Sequence, residues 1–349
     1  MKIYKNIFND IISMNNLLLA WDEFKKGKRN KIDVQNFELY LEDNLFNLHN
    51  DLIDKKYKHN KYTDFYINDP KKRHIHKALV KDRLIHHAIH RIIYPIFDPI
   101  FIFDSYSSRK NKGVHKAISR LKVFLNKVNQ THNKCFVLKC DIKKFFSSID
   151  HNILIKIISE KIKDEELVCL LKEIINSFES EFSINKDKKG LPIGNLTSQL
   201  FANVYLNELD QFIKQNLKIK YYIRYADDFV IIHQDKNYLI NNLIKIDNFI
   251  KEKLKMSLHP NKISIRKCSQ GVDYLGYVIL PKATVLRTKT KRRILKKIKL
   301  RIKEYKNKKI DKFFLTQSIN SYLGVLSHAN SYKLKQKLKQ SIKESFDEK

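Results

Sequence analysis

Two adjacent aspartates, Asp227 and Asp228, lie in Tyr225-Ala226-Asp227-Asp228, between the apolar runs YYIR and FVII. Apolar runs separated by so short an interval form a β-hairpin, and its tip presents both carboxylates. Anions held that close repel unless a cation joins them. A third aspartate, Asp141, closes the apolar run FVLKC, and period-two alternation puts it on the face opposite Phe136, Leu138 and Cys140. If the two strands lie side by side, three carboxylates converge. Hard oxygen donors suit Mg²⁺, which keeps waters and shares its coordination with substrate phosphates. Two such ions would activate an attacking 3′-hydroxyl and steady a leaving pyrophosphate in an in-line displacement. An Asp-Asp pair is also ordinary turn chemistry, so spacing alone leaves both readings open.

These residues need strands, and strands need helices to back them. Between Lys134 and Lys282, β-like runs (FVLKC, YYIRY, FVIIH, KISIR, YLGYVIL) alternate with helical ones, His151 to Phe178, Thr197 to Gln215 and Asn237 to Lys255. That alternation predicts an α/β or α+β centre. Upstream, apolar residues recur at three and four from Met14 to about Leu52, with the basic KKGKRNK (25–31) joining two helices. A basic extended stretch, Tyr62 to His76, precedes a helix from Lys81 to about Tyr94 that Pro95 is expected to stop. From Thr290 onward only helical period remains, and residues 282–312 hold fifteen Lys or Arg against two acids. The chain divides into an N-terminal region (1–135), a centre (136–281) and a basic helical C-terminus (282–349).

Over 349 residues, 69 Lys+Arg against 37 Asp+Glu give a net charge of +32, with 43% hydrophobic residues, 21 Phe and 17 Tyr. That apolar content excludes a disordered polycation, and the charge argues against an enzyme of small metabolites. It points to nucleic acid or an anionic membrane, although 57 Lys against 12 Arg also fits a biased genomic composition. No window approaches eighteen apolar residues and the N-terminus lacks a secretory apolar region, so no membrane partner and a cytoplasmic location are expected. Cys135, Cys140, Cys169 and Cys268 form no ligand cluster, and are expected as reduced core residues.

The chain resembles the reverse transcriptases in seven segments that follow the family's order. YADD (225–228) is similar to the family's metal-binding hairpin, and CDIKKFF (140–146) to its first metal motif. GLPIGNLTSQLFANVYLNELD (190–210) resembles the segment contacting template and nucleotide, LHPNKISI (258–265) the lysine-bearing loop, and YLGYVI (274–279) the primer grip. PKKRHIHKALVKDRLIHHAI (70–89) and DSYSSRKNKGVHKAI (104–118) resemble the fingers motifs of bacterial members.

The resemblance implies a right-hand polymerase: fingers, an RRM-like palm whose sheet is backed by helices, and a helical thumb. It implies that Asp141 and Asp227 bridge two Mg²⁺ ions, with Mn²⁺ as a substitute, and that Asp228 and the carbonyl of Ile142 add contacts. Phe146 would be the steric gate against a 2′-hydroxyl, with a core position beside Phe145 as the alternative. Lys71, Lys72 and Arg73 would hold the nucleotide triphosphate, and Ile193, Gly194 and Gln199 would contact the nucleotide. Lys262 would be a general acid for pyrophosphate, or else a salt-bridge or phosphate-contact residue. Tyr274, Leu275 and Gly276 would form the primer grip. Arg287, Lys291, Arg292 and Arg293 would track the backbone of an RNA/DNA duplex.

Bacterial relatives usually carry QGxxxSP where this chain reads Ile193-Gly194-Asn195-Leu196-Thr197-Ser198-Gln199. Ile offers packing where Gln offers hydrogen bonds, which implies tolerance of mispairs. The form is similar to that of diversity-generating retroelements, whose enzymes copy template RNA with errors. A defence-associated or retron-like enzyme copying a dedicated noncoding RNA, and a non-catalytic maturase-like RNA-binding protein, are the alternatives. The implied partners are template RNA, RNA/DNA duplex, deoxynucleoside triphosphates and a small helical accessory protein. About seventy residues follow the primer grip, enough for a helical thumb and too few for an RNase H domain.

Overall fold

The computed structural model describes residues 2–69, 71–183 and 188–347, and their side chains up to residue 340. Pro70, which opens one fingers motif, lies outside them. The fold is α+β, and the chain divides into two compact units. One comprises residues 1–111, 140–229 and 241–263, and the other 112–139, 230–240 and 264–349.

In the first unit, α1 (Phe8–Ile12), α2 (Met14–Lys25), α3 (Ile32–Leu39) and α4 (Leu41–Ile53) precede the antiparallel hairpin β1 (Thr63–Ile67) and β2 (Arg73–Lys77). The Ser13 hydroxyl caps α2 by accepting from Asn16 N–H. Leu17, Ala20, Trp21 and Phe24 form its buried stripe. Next comes α5 (Val80–Phe97), which runs through Pro95 and not up to it. The proline falls in the last turn, where it removes one backbone bond, and its exposed ring is offset by the burial of Ile96 and Phe97.

The chain continues through α6 (Val114–His132), β3 (Phe136–Asp141) and α7 (Phe145–Ser148) to α8 (His151–Lys161) and α9 (Glu165–Asn176). The single helix expected from His151 to Phe178 is therefore two. Asp164 separates them: its carboxylate accepts from Leu167 N–H at 3.0 Å, capping α9, and from Ile7 and Phe8 N–H at 2.7 and 2.9 Å. A residue satisfying three backbone donors cannot also sit inside a helix.

Then follow α10 (Leu196–Gln211), ending in a π-turn, β4 (Tyr222–Tyr225), β5 (Asp228–His233), α11 (Lys236–Leu254) and β6 (Ser264–Lys267). The central sheet has the order β4-β5-β3-β6, with β3 antiparallel to β6. Strands β3, β4 and β5 are largely buried, Val137, Leu138, Cys140, Ile223 and Phe229–Ile232 among their residues, as helical cover on a sheet requires, while the edge strand β6 is half-buried to exposed. Nearly all of α10 is buried as well, so this helix lies in the core.

YLGYVIL is not one strand. It forms β7 (Val272–Tyr274) and β8 (Tyr277–Ile279), joined at Leu275 and Gly276 with φ of 48° and 88°. Two left-handed residues in succession make the turn whose twist matches a tight hairpin. With β9 (Thr284–Leu286) these strands make an antiparallel sheet of order β7-β8-β9. The second unit ends in α12 (Thr288–Lys306), α13 (Lys312–Ser327) and α14 (Tyr332–Asp347), packed around Ile294, Ile298, Leu326 and Leu338. Among the described residues no helix is long and apolar enough to cross a membrane. All four cysteines are free; Cys135 and Cys140 are buried as expected, while Cys169 is exposed and Cys268 half-buried.

Candidate functional site

The expected hairpin is present. Tyr225 ends β4, Asp228 begins β5, and Ala226 and Asp227 form the two-residue turn. Ala226 has φ 53°, a left-handed conformation that a Cβ disfavours and that recurs at functional sites. Ile142 N–H, just beyond β3, donates to Asp227 O at 3.2 Å, so the turn and the end of β3 are hydrogen-bonded neighbours.

Burial holds the Asp227 carboxyl above the usual carboxylate range, and the negative charge of Asp141 pushes the same way; Lys262 and Lys71 pull against both. Burial raises the Cys140 thiol, and the Asp228 charge adds more to that rise than the Asp141 charge does. Among the described residues no group of three His, Cys, Asp or Glu side chains is gathered as a metal site. The Asp141 charge acts on Asp227, and Asp228 follows directly at the start of β5.

Lys262, in the short turn Pro260–Lys262, places Nζ 2.7 Å from Asp141 Oδ1. Of the roles left open for this lysine, the salt bridge is the one seen. The backbone reinforces it, because His259 N–H donates to Asp141 O at 2.7 Å and Lys143 N–H to Ser257 O at 2.9 Å.

The residues expected to contact the nucleotide fall in the same unit. His76 N–H of β2 donates to Ile193 O at 3.1 Å, which ties the β1–β2 hairpin to the IGN segment. Gly194 has φ +137°, and a Cβ there would lie 3.0 Å from His76 O, so the approach of β2 needs glycine. Lys71, Lys72 and Arg73 are exposed at the base of β2, and Lys72 Nζ lies 4.5 Å from the Tyr66 ring centre. Gln199 is exposed on α10. Phe146 is half-buried on α7, in edge contact with Phe145 at 5.3 Å, so it fits either reading given for it.

A network that the motifs did not announce stands behind the hairpin. Arg224 of β4 and Asp210 of α10, both with fully buried side chains, make a two-pronged ion pair: Nε to Oδ1 at 2.7 Å and Nη2 to Oδ2 at 2.6 Å. Tyr222 Oη donates to Asp210 Oδ1 at 2.6 Å, and Arg224 Nη1 donates to Asn203 Oδ1 at 3.3 Å and to Ala226 O at 3.1 Å. The available signal was an arginine inside the apolar run YYIRY, because such a charge requires a buried partner.

In the second unit, Tyr274 is buried and Leu275-Gly276 form the β7–β8 turn, whose Gly276 O accepts from Arg287 N–H at 3.0 Å. Arg287 is bonded to Asp273 through both Nε and Nη2, so the structure gives it a protein partner where a phosphate contact was expected. Lys291 and Arg292 are exposed on α12, and Arg293 is half-buried. A cavity of about 800 Å³ is lined by Lys122, Lys291, Lys333 and Lys335 together with His328 and Tyr332.

This fold is similar to the solved telomerase of Candida albicans in complex with a fragment of telomeric RNA, with a TM-score of 0.52, 11% identity, and 84% of this chain and 55% of that chain covered. Residues 58–279 match the family described as reverse transcriptase (RNA-dependent DNA polymerase). The chain belongs to that family. Relatives include the group II intron-encoded protein LtrA of Lactococcus lactis, 27% identical over 61% of this chain and 45% of that protein, and protein YkfC of Escherichia coli, 25% identical over 58% and 62%. A putative COX1/OXI3 intron 2 protein of Saccharomyces cerevisiae is 23% identical over 56% of this chain and 29% of that protein. The chain thus spans less than two thirds of the length of these relatives.

Proposed function

We propose that this chain catalyses RNA-templated DNA synthesis. The observation that carries the reading is the Asp141–Asp227 pair, two partly desolvated like charges brought together on neighbouring elements inside the segment that matches the family. Such a pair fits a divalent cation, since oxygen donors of one sign are stabilised by Mg²⁺ or Mn²⁺. Asp141, Asp227, Asp228 and the Ile142 carbonyl would hold it. The bound ions supply activation of the primer 3′-hydroxyl and neutralisation of the pyrophosphate charge.

The chain's own residues do the rest. Lys262 balances Asp141, and delivers a proton to pyrophosphate only after leaving that carboxylate. Lys71, Lys72 and Arg73 receive the triphosphate, and Phe146 limits the space beneath the sugar. Residues 1–135, 136–281 and 282–349 act as fingers, palm and thumb. Tyr274, Leu275 and Gly276 seat the primer, while Lys291, Arg292 and Arg293 follow the duplex backbone without reading bases.

The finer reading is error-prone synthesis of the diversity-generating kind, in the cytoplasm, with a small helical accessory protein. Its support is Ile193, whose side chain cannot replace the hydrogen bonds of a glutamine. A maturase-like role in handling intron RNA is the second reading, favoured by the similarity to group II intron-encoded LtrA. Sequencing the DNA made on a defined RNA decides between them. Errors opposite adenine support the retroelement reading, faithful copies count against it, and RNA binding without product under Mg²⁺ or Mn²⁺ supports the second reading and removes the enzymatic one.

A further inference from the structure

Arg224 and Asp210 are both 0% exposed. A buried ion pair gains little over apolar residues of the same volume, because desolvation of both charges offsets their attraction. Two such charges behind a catalytic turn therefore call for an explanation beyond stability. The guanidinium is planar, and its fork is already committed to both Asp210 oxygens at 2.7 and 2.6 Å. That fixes where the remaining nitrogen points. Nη1 reaches the carbonyl of Ala226 at 3.1 Å, the residue held at φ 53°.

Ala226 O belongs to the peptide plane that leads into Asp227, so restraining it restrains the orientation in which Asp227 leaves the turn. The next bond in the series, Ile142 N–H to Asp227 O at 3.2 Å, joins the turn to the end of β3 and hence to Asp141. Arg224 is itself held on its main chain. Its N–H donates to Asp104 O at 3.0 Å and its O accepts from Tyr106 N–H at 3.0 Å, while Asn203 Nδ2 donates to Ser107 O at 2.9 Å. The DSYSS segment thereby borders β4 and anchors the arginine from the side away from the turn.

We infer that Arg224, clamped by Asp210, is a positioning residue that holds the Ala226-Asp227 turn in its left-handed form and so sets Asp227 against Asp141. The inference rests on the polymerase reading for its consequence, tighter Mg²⁺ binding by the pair, and not for its geometry. Lysine in place of Arg224 keeps the charge but, lacking the planar fork, cannot hold Asp210 and Ala226 O together.

The test is the paired variant Asp210→Asn/Arg224→Gln, which removes both charges at once and so leaves neither buried alone. Thermal unfolding shows whether it folds. Hydrogen exchange is then read at the Ile142 amide without metal or RNA, and primer extension is read against Mg²⁺ concentration. At least tenfold faster exchange at Ile142 and at least tenfold more Mg²⁺ for half-maximal rate, with RNA binding unchanged, are expected. A folded variant with wild-type exchange and wild-type Mg²⁺ dependence overturns the inference. Arg224→Lys gives the same two readouts if the pair fails to fold; if neither variant folds, the network serves the fold alone and the positioning role is overturned. Should the wild-type chain make no DNA, the polymerase reading fails by itself while the exchange measurement still decides the positioning role.

Discussion

The carboxylate turn of the first unit and helix α12 of the second treat charge in opposite ways. Near the turn, two ion pairs hold charges at fixed distance: Arg224 with Asp210 at 2.6 Å and Lys262 with Asp141 at 2.7 Å. Along α12 the sole acid is Glu304, which Arg301 binds at 2.6 Å, and among the described residues Lys291, Arg292, Lys296, Lys299 and Lys303 have no ion pair. Neither α12 nor α14 has an acid in its first turn, although lysines stand there against the positive end of the helix dipole. Buried partners act in a low dielectric and fix geometry, whereas exposed like charges are only steadied by a counterion from outside. Near the turn charge is paired with charge, whereas most of the cations of α12 stand among other cations.

The largest effect should come from breaking the first half of this contrast. Asp227→Asn is expected to cut DNA synthesis by at least about a thousandfold, with RNA affinity changed less than about twofold; surviving synthesis in a primer-extension assay would remove Asp227 from the metal site. The second half is tested by Lys291→Gln/Arg292→Gln. Losing two phosphate contacts should lower the slope of log affinity against log salt by roughly 1.4 to 1.8, and an unchanged slope in a titration against RNA/DNA duplex would mean these residues do not meet phosphates. Phe146→Ala should relax discrimination against ribonucleotides by roughly 10- to 100-fold. Competition between deoxy- and ribonucleotides measures this, and no change assigns Phe146 to the core.

The smallest effect concerns stability. The Asp227 carboxyl is raised by burial and by Asp141, so its favourable contribution is complete below the ordinary aspartate range and is lost as pH rises through the raised value. At neutral pH the metal-free protein carries this cost. Asp227→Asn should therefore raise the melting temperature at pH 7 by about 1–2 °C, with the gain shrinking as pH falls toward 4. A gain that does not depend on pH, in calorimetric scans across that range, would show that charge is not its cause.

Much of the framework around the turn was legible in its residues. The run FVLKC and the YYIR–FVII interval became β3 and the β4–β5 turn because apolar strands and a two-residue loop are local properties. Three expectations failed for local reasons set by distant partners. The α5 helix crosses Pro95 because Ile96 and Phe97 are buried, and Asp164 breaks a long helical run because Ile7 and Phe8 donate to it. YLGYVIL folds back on itself because Leu275 accepts a left-handed φ that its side chain does not advertise. The site's residues were visible as a motif while their partners were not. A motif records which side chains are present, and neither the salt bridge of Lys262 nor that of Arg224 leaves a pattern in spacing.

Chemistry and local form were set by the residues alone: which strands end in aspartate, where the turn falls and which helices carry lysine. Packing decided that the Asp141 charge acts on Asp227, that Lys262 answers Asp141 across 121 positions of chain, and that Arg224 points past Asp210 to Ala226. The physical reason is that backbone periodicity acts over a few residues, whereas a charge in a desolvated interior is settled by whichever partner the packing brings within about 3 Å.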